Sequence, residues 1–207
     1  MRHSVTQVID HFCPPELVNF FKNHSKAKCE QIAKESALIG QRTDWLIQQD
    51  IKGDSYHLET EPAEVQRCMA HWETIKKEHP GFTASVKEMQ TELVDGELVG
   101  HPDFICVEAN GWGITDLKCT KNIRLKNWVQ TAEYAAMLMR IRGWAFPDFL
   151  RVIRLPSEEG KLPEWFEVRD PDMILYCIKL FDHYLEIFRG DFVMREFIRV
   201  QLEERVP

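Results

Sequence analysis

The chain has 207 residues, 44% hydrophobic and 29% charged, with six Trp and twelve Phe. That length favours one domain, and that composition excludes a disordered chain, which would lack the aromatic residues to build a core. The formal net charge of −7 disfavours a simple basic nucleic-acid coat protein, and no run of about 18 apolar residues is present to span a membrane.

The opening Met1-Arg2-His3-Ser4-Val5-Thr6-Gln7 lacks the apolar stretch of a signal peptide, so a cytoplasmic location is expected. From Pro15 to Gln49, apolar residues recur at helical spacing through Leu17, Phe20, Phe21, Ala33, Ala37 and Leu38. Gly40 marks a break or a close helix contact. A second helix is expected after Glu61-Pro62, ending before His79-Pro80-Gly81. The pattern then turns to strands over Ala84–Val94, Leu98–Val107 and Trp112–Cys119. Asp95-Gly96 and Asn110-Gly111 read as the turns of a three-stranded meander. The helical period returns from Arg124 to Ile141. Strands are expected over Phe149–Leu155 and Trp165–Val168, then a helix from Asp170-Pro171 to Phe188 and a last amphipathic helix from Phe192 to Glu204. The order implies an α/β or α+β chain with a mixed sheet.

The six cysteines, Cys13, Cys29, Cys68, Cys106, Cys119 and Cys177, form no Cys-x-x-Cys pair. Free thiols are expected, rather than a zinc ribbon or a disulfide framework. Charge is unevenly spread. Lys118, Lys121, Arg124, Lys126, Arg140, Arg142, Arg151 and Arg154 share one segment with only Glu133 and Asp148 as acids. Such a strip can hold a polyanion locally. A solvated helix face would account for the same bases.

The middle of the chain carries the chemistry. Gly100-His101-Pro102-Asp103 enters the second strand and Asp116-Leu117-Lys118 ends the third. An Asp inside an apolar strand opposes propensity and is costly unless paired or bound to a cation. Two on adjacent strands could share one hard cation, since Mg²⁺ prefers oxygen ligands. Lys118, two residues after Asp116, lies on the same strand face and can stabilise developing negative charge. Together they form a sensible site for phosphodiester hydrolysis. Pairing of Asp103 and Asp116 with Lys118 or Arg124 is the structural alternative. On the following helix, Gln130 and Tyr134 stand at i and i+4 on one face.

Gly100-x-x-Asp103, Asp116-x-Lys118 and Gln130-x-x-x-Tyr134 together resemble the PD-(D/E)xK nuclease superfamily, and more narrowly its RecB-like exonuclease branch, which includes phage recombination and CRISPR-associated adaptation nucleases. The motif-bearing part runs from about Glu92 to Tyr134. The resemblance implies a restriction-endonuclease-like α/β core, a mixed central sheet flanked by helices in the order αβββαβ. It implies Asp103 and Asp116 as metal-binding carboxylates, the backbone carbonyl of Leu117 as a further ligand, Lys118 as the catalytic lysine, and Gln130 and Tyr134 as positioning residues. Glu92 matches the acidic residue the family often carries on its first core strand. Glu88 is a rival, since a two-residue Asp95-Gly96 turn would set it opposite Asp103. The branch usually has a ligand His on an upstream helix; here Gly40-Gln41-Arg42-Thr43-Asp44 occupies that place, so Asp44 is the candidate, a carboxylate suiting a hard cation. The late cysteine cluster of the iron–sulfur members is missing, so no iron–sulfur cluster is expected.

The expectation is therefore a single nuclease domain over 1–207, with helical 1–80, core sheet and site over 81–170, and C-terminal helices over 171–207. It would be a Mg²⁺- or Mn²⁺-dependent DNA exonuclease of recombination, repair or phage replication, acting on single strands or duplex ends, with a recombination protein as a further partner. Lys121, Arg124, Lys126 and His101 are the expected DNA contacts, although a strand-face histidine is more often structural. Trp112, Trp128 and Trp144 could stack on bases, but core packing is the simpler role. A flap or junction endonuclease and a non-catalytic nucleic-acid-binding protein are the alternatives.

Overall fold

A computed structural model describes residues 2–11 and 23–203, with side chains to position 194. Cys13, Leu17, Phe20 and Phe21 lie outside the described residues. The chain enters through a short strand, β1 (His3–Ser4), and a helix, α1 (Val5–Asp10), neither of which was expected. Their signal is Ser4-x-x-Gln7, a capping box. The Ser4 hydroxyl accepts from the Gln7 amide at 3.0 Å and the Gln7 side chain accepts from the Ser4 amide at 2.9 Å.

Helix α2 (Lys26–Lys52) is capped by Ser25 and stops at Gly53, which takes the left-handed φ of 76° that a helix end favours. It passes through Gly40 without a break. Helix α3 (Ala63–Glu78) starts after Pro62 as expected, and buries Val65, Cys68, Met69, Trp72 and Ile75. The Trp72 indole donates to Asp50 at 2.8 Å, tying α3 to α2. A single turn, α4 (Phe82–Ser85), leads into the sheet.

The expected meander is present, but its first two strands are each interrupted. They form β2 (Val86–Met89), β3 (Leu93–Asp95), β4 (Leu98–Gly100) and β5 (Phe104–Glu108), followed by an unbroken β6 (Gly111–Lys118). Helix α5 (Leu125–Arg142) then connects to β7 (Phe149–Arg154) and β8 (Glu164–Val168). The main sheet has the order β2-β5-β6-β7-β8, and a small sheet has the order β1-β4-β3. β6 and β7 run parallel, with α5 between them in sequence, whereas β2–β5, β5–β6 and β7–β8 are antiparallel. The core order is thus the αβββαβ of a restriction-endonuclease-like arrangement, an α/β fold with a mixed sheet.

Strand alternation sorts the sheet's side chains into two layers. Ile105, Ile114 and Leu150 face α5 and the last helix, α6 (Pro171–Glu203), meeting Val129, Ala132, Ala135, Leu138, Ile174 and Phe181. Phe104, Cys106, Phe149 and Ile153 face the other way, onto Leu46, Ile47, Trp72, Ile75 and Phe82. α6 is one helix where two were expected. A glycine such as Gly190 costs a helix interior only about 1 kcal/mol, and no proline follows to enforce a stop. Among the described residues, no helix is long and apolar enough to cross a membrane, and Cys29, Cys68, Cys106, Cys119 and Cys177 are free thiols.

The turn between β3 and β4 departs from expectation by one residue. Asp95 pairs with Leu98, so the turn residues are Gly96 and Glu97 rather than Asp95 and Gly96. Gly96 has φ 58° and Glu97 a negative φ, the pattern of a turn that takes Gly first. This shift decides which side chain faces the site.

Candidate active site

Asp103 precedes β5 and Asp116 lies near the end of antiparallel β6, so both reach the same end of the sheet. Lys118 shares the Asp116 face, two residues on. They open into a cleft of about 240 Å³ that also takes in Asp44, His101, the Leu117 backbone, Gln130 and Tyr134. Ser4 and Thr6 close it from the N-terminal segment, and Val99 and Gly100 from β4.

The Asp103 carboxylate is held at both oxygens. Oδ2 accepts from the Leu117 amide at 2.7 Å and Oδ1 from the Gln90 side-chain amide at 2.6 Å. Lys118 Nζ lies 2.6 Å from Asp116 Oδ2, a close ion contact. It lacks hydrogen-bond alignment, and Oδ2 is buried with no hydrogen-bond partner. Gln130 donates to the Tyr134 hydroxyl at 3.0 Å and to the Thr6 hydroxyl at 2.9 Å, so the i and i+4 pair from α5 locks onto α1. Gly100 is what lets Tyr134 approach. A Cβ there would stand 2.8 Å from two carbons of the Tyr134 ring.

Charge is compressed in this cleft. Burial, then the neighbouring Asp103, pushes Asp116 up to about 7 against the pull of Lys118. Burial and the Asp103 carboxylate push Asp44 up to about 8. Asp103 is raised by burial, with Lys118, the Leu117 amide and Gln90 opposing. Burial would lower Lys118, but the Asp116 and Asp103 carboxylates outweigh it and hold the ammonium protonated beyond its usual range. Tyr134 is pushed up to about 12 by burial and by Asp116. Burial raises all three carboxyls, mutual repulsion adds to the rise at Asp44 and Asp116, and a bound cation would favour their ionised forms.

Among the described residues, no group of three or more His, Cys, Asp or Glu side chains stands arranged to hold a metal ion. The donor set inferred from the sequence is smaller: two carboxylates and one main-chain carbonyl. Asp116 and Asp103, which share the cleft, fit that set, because Mg²⁺ and Mn²⁺ favour oxygen donors and keep several waters.

Not every expected residue reaches the cleft. Glu92 is 64% exposed and lies 3.6 Å from the His101 ring, outside the cleft lining. Glu88 is engaged by Arg142 at 2.9 Å and by the Thr91 hydroxyl at 3.0 Å. It pairs with Ile105, not with Asp103 as the Asp95-Gly96 register required. The residue opposite Asp103 is Gln90, whose amide donates to the Asp103 carbonyl at 3.1 Å. Sequence reasoning missed Gln90, and the signal for it was the Gly96-Glu97 turn.

The basic strip divides. Lys121 and Arg124 are exposed and make no ion pair among the described residues. Lys126 pairs with Asp10 at 2.9 Å and lines an adjoining hollow of about 490 Å³ that shares Asp44, Lys118 and Gln130 with the cleft. The other arginines are not available as a polyanion surface. Arg140 binds Asp95 and Glu133, Arg142 binds Glu88, buried Arg151 binds Glu108 and Glu167, and buried Arg154 binds Glu164. Trp112 and Trp144 pack edge to face at 4.8 Å, against the core.

No family model matches the chain, and no curated protein matches it in sequence. Solved structures similar in chain course include SSO0001, at 11% identity and TM-score 0.38, covering 88% of this chain and 75% of that one. An alkaline exonuclease, LHK-Exo, from Laribacter hongkongensis aligns at 14% identity and TM-score 0.41, covering 97% and 94%. LHK-Exo in complex with dAMP aligns at 15% identity and TM-score 0.35, covering 79% and 86%.

Proposed function

We propose that the protein is a Mg²⁺- or Mn²⁺-dependent nuclease that hydrolyses phosphodiester bonds in DNA, in the manner of the exonuclease branch its motifs resemble. One observation carries the reading: Asp44, Asp103 and Asp116 line one cleft around a single ammonium, that of Lys118. Asp103, Asp116 and the Leu117 carbonyl would hold the cation, with Asp44 beside them in the same cleft. When bound, the cation would supply Lewis acidity toward the phosphate and a more acidic water.

The chain's own groups do the rest. Lys118 would act as a positive charge toward a phosphate oxygen. A water oxygen would attack phosphorus as the P–O bond to the departing strand breaks, and one proton of that water would end on the departing sugar oxygen. Gln130 and Tyr134 hold the wall of the cleft, and their placement on one helix face supports an assignment to the exonuclease branch. His101 in the cleft, Lys126 in the adjoining hollow and the exposed Lys121 and Arg124 would contact the DNA backbone, whose binding would be salt-dependent and largely independent of sequence. Recombination, repair or phage replication is the setting that the motif resemblance favours, with a recombination protein as partner.

The test is digestion of end-labelled single- and double-stranded DNA with Mg²⁺, Mn²⁺ or EDTA, using wild type, Asp116→Asn and Lys118→Ala. Release of mononucleotides that stops with EDTA and with either substitution is the expected result. Internal cuts would replace the exonuclease reading with a flap or junction endonuclease. DNA binding without cleavage would replace it with a binding protein. Cleavage untouched by both substitutions would end the site assignment.

A further inference from the structure

β2 carries an irregularity ahead of the residue that faces Asp103. Val86 pairs with Cys106, but Glu88 pairs with Ile105 and Met89 with Phe104, so the register slips by one residue across Lys87. Glu88, Met89 and Gln90 keep the register set by the Gly96-Glu97 turn, which places Gln90 opposite Asp103, and the slip lies on the far side of them. Gln90 takes a φ of 49°, and among the described residues it is the non-glycine residue with a positive φ. A left-handed Gln is disfavoured by its Cβ. The chain therefore accepts a strained residue opposite Asp103. Gln90 makes two hydrogen bonds to that one residue: its backbone amide to the Asp103 carbonyl at 3.1 Å and its side-chain amide to Asp103 Oδ1 at 2.6 Å. With the Leu117 amide on Oδ2 at 2.7 Å, both Asp103 oxygens are tied to donors anchored in the sheet.

We propose that Gln90 is a positioning residue, whose strained backbone exists to clamp the Asp103 carboxylate in the orientation that receives the divalent cation. The inference rests on the nuclease reading for its activity arm but not for its binding arm. A neutral amide suits the task. It donates to the carboxylate without adding charge to a cleft that already holds three acids. A Glu at this position would offer an acceptor in place of a donor and a further negative charge.

The full-length chain tests this with two variants. Gln90→Met keeps the side-chain length and removes the donor. Gln90→Gly removes the donor and also relieves the left-handed strain, so it separates clamping from folding. Mn²⁺ affinity is read from the electron paramagnetic resonance of free Mn²⁺, melting temperature is read in EDTA, and kcat and KM are read on DNA. The expected result is Mn²⁺ binding weakened about 10- to 100-fold in both variants, the usual effect of losing a hydrogen bond to a metal ligand. kcat should fall with KM for DNA unchanged, while Gln90→Gly melts at or above the wild-type temperature in EDTA. Gln90→Gly with wild-type Mn²⁺ affinity would overturn the proposal, because the residue would then serve the backbone alone. A wild type that binds no Mn²⁺ overturns it as well. If the wild type binds Mn²⁺ but cuts no DNA, the nuclease reading fails, and the affinities of the variants still decide the role of Gln90. If Gln90→Met does not fold, Gln90→Gly decides.

Discussion

Replacing Glu133 by Gln should stabilise the protein at pH 8 and do far less at pH 5. Glu133 lies on α5 at 1% exposure. Its Oε1 accepts from Arg140 at 2.6 Å, and its Oε2 is buried without a partner. Burial pushes its carboxyl from 4.5 up to about 7; Asp182 and Asp95 add to the rise and Arg140 opposes it. A raised value means that the folded state prefers the neutral acid. The associated stability is complete below pH 4.5, drains away as the pH climbs toward 7, and stays lost above it. The rise corresponds to about 3 kcal/mol at pH 8, of which roughly 2–3 kcal/mol accrues between pH 5 and pH 8. Gln carries no such titration, and Arg140 keeps Asp95 as a partner. The assay is urea unfolding of both proteins in EDTA at the two pH values, followed by tryptophan fluorescence. The cleft carboxylates titrate in both proteins and cancel in the difference. A stability difference that changes by less than about 0.5 kcal/mol between the two pH values would refute the reasoning.

Gly100→Ala should press its new Cβ into the Tyr134 ring, 2.8 Å away. A loss of about 1–3 kcal/mol in stability is expected, together with reduced nuclease turnover, checked by denaturation and by digestion of labelled DNA. Arg151→Met leaves Glu108 and Glu167 with Arg169 as their shared cation, and should cost about 1–3 kcal/mol in urea unfolding. The slope of log affinity against log salt for DNA should not change in that variant, since Arg151 is buried. Lys121→Ala with Arg124→Ala should behave in the opposite way. Unfolding should move by less than about 0.5 kcal/mol, while the salt slope should fall by about one per residue, read by fluorescence anisotropy on a labelled strand.

The site was more legible in the sequence than its support was. Asp103, Asp116 and Lys118 stood out because each breaks an apolar strand, and Gln130 and Tyr134 because helical spacing alone puts them on one face. Asp44 was legible only through resemblance, and the structure brings it to the same cleft. Gln90 was not legible. Finding it required the turn to be read as Gly96-Glu97, because a one-residue error in register exchanges every cross-strand partner. The strip of bases misled for a different reason. Arg151 and Arg154 find their partners Glu167 and Glu164 across β7 and β8, and the local surplus of positive charge is neutralised by strands that come later in the chain. β1 and α1 were passed over because a two-residue strand has no periodicity to read. Their capping box was the available clue.

The small sheet ties the completion of the cleft to a distant contact. His3 pairs with Leu98, and Ser4 with Val99, so the lip formed by Ser4, Thr6, Val99 and Gly100 exists only after the N-terminal segment returns across nearly half the chain. β5, which Asp103 immediately precedes, and β6, which carries Asp116, are joined by a tight turn and close at low loop-closure cost. The acids therefore need only a local hairpin to meet, whereas the wall that encloses them, and with it the Thr6 anchor of Gln130, depends on a distant contact held by two residues per strand.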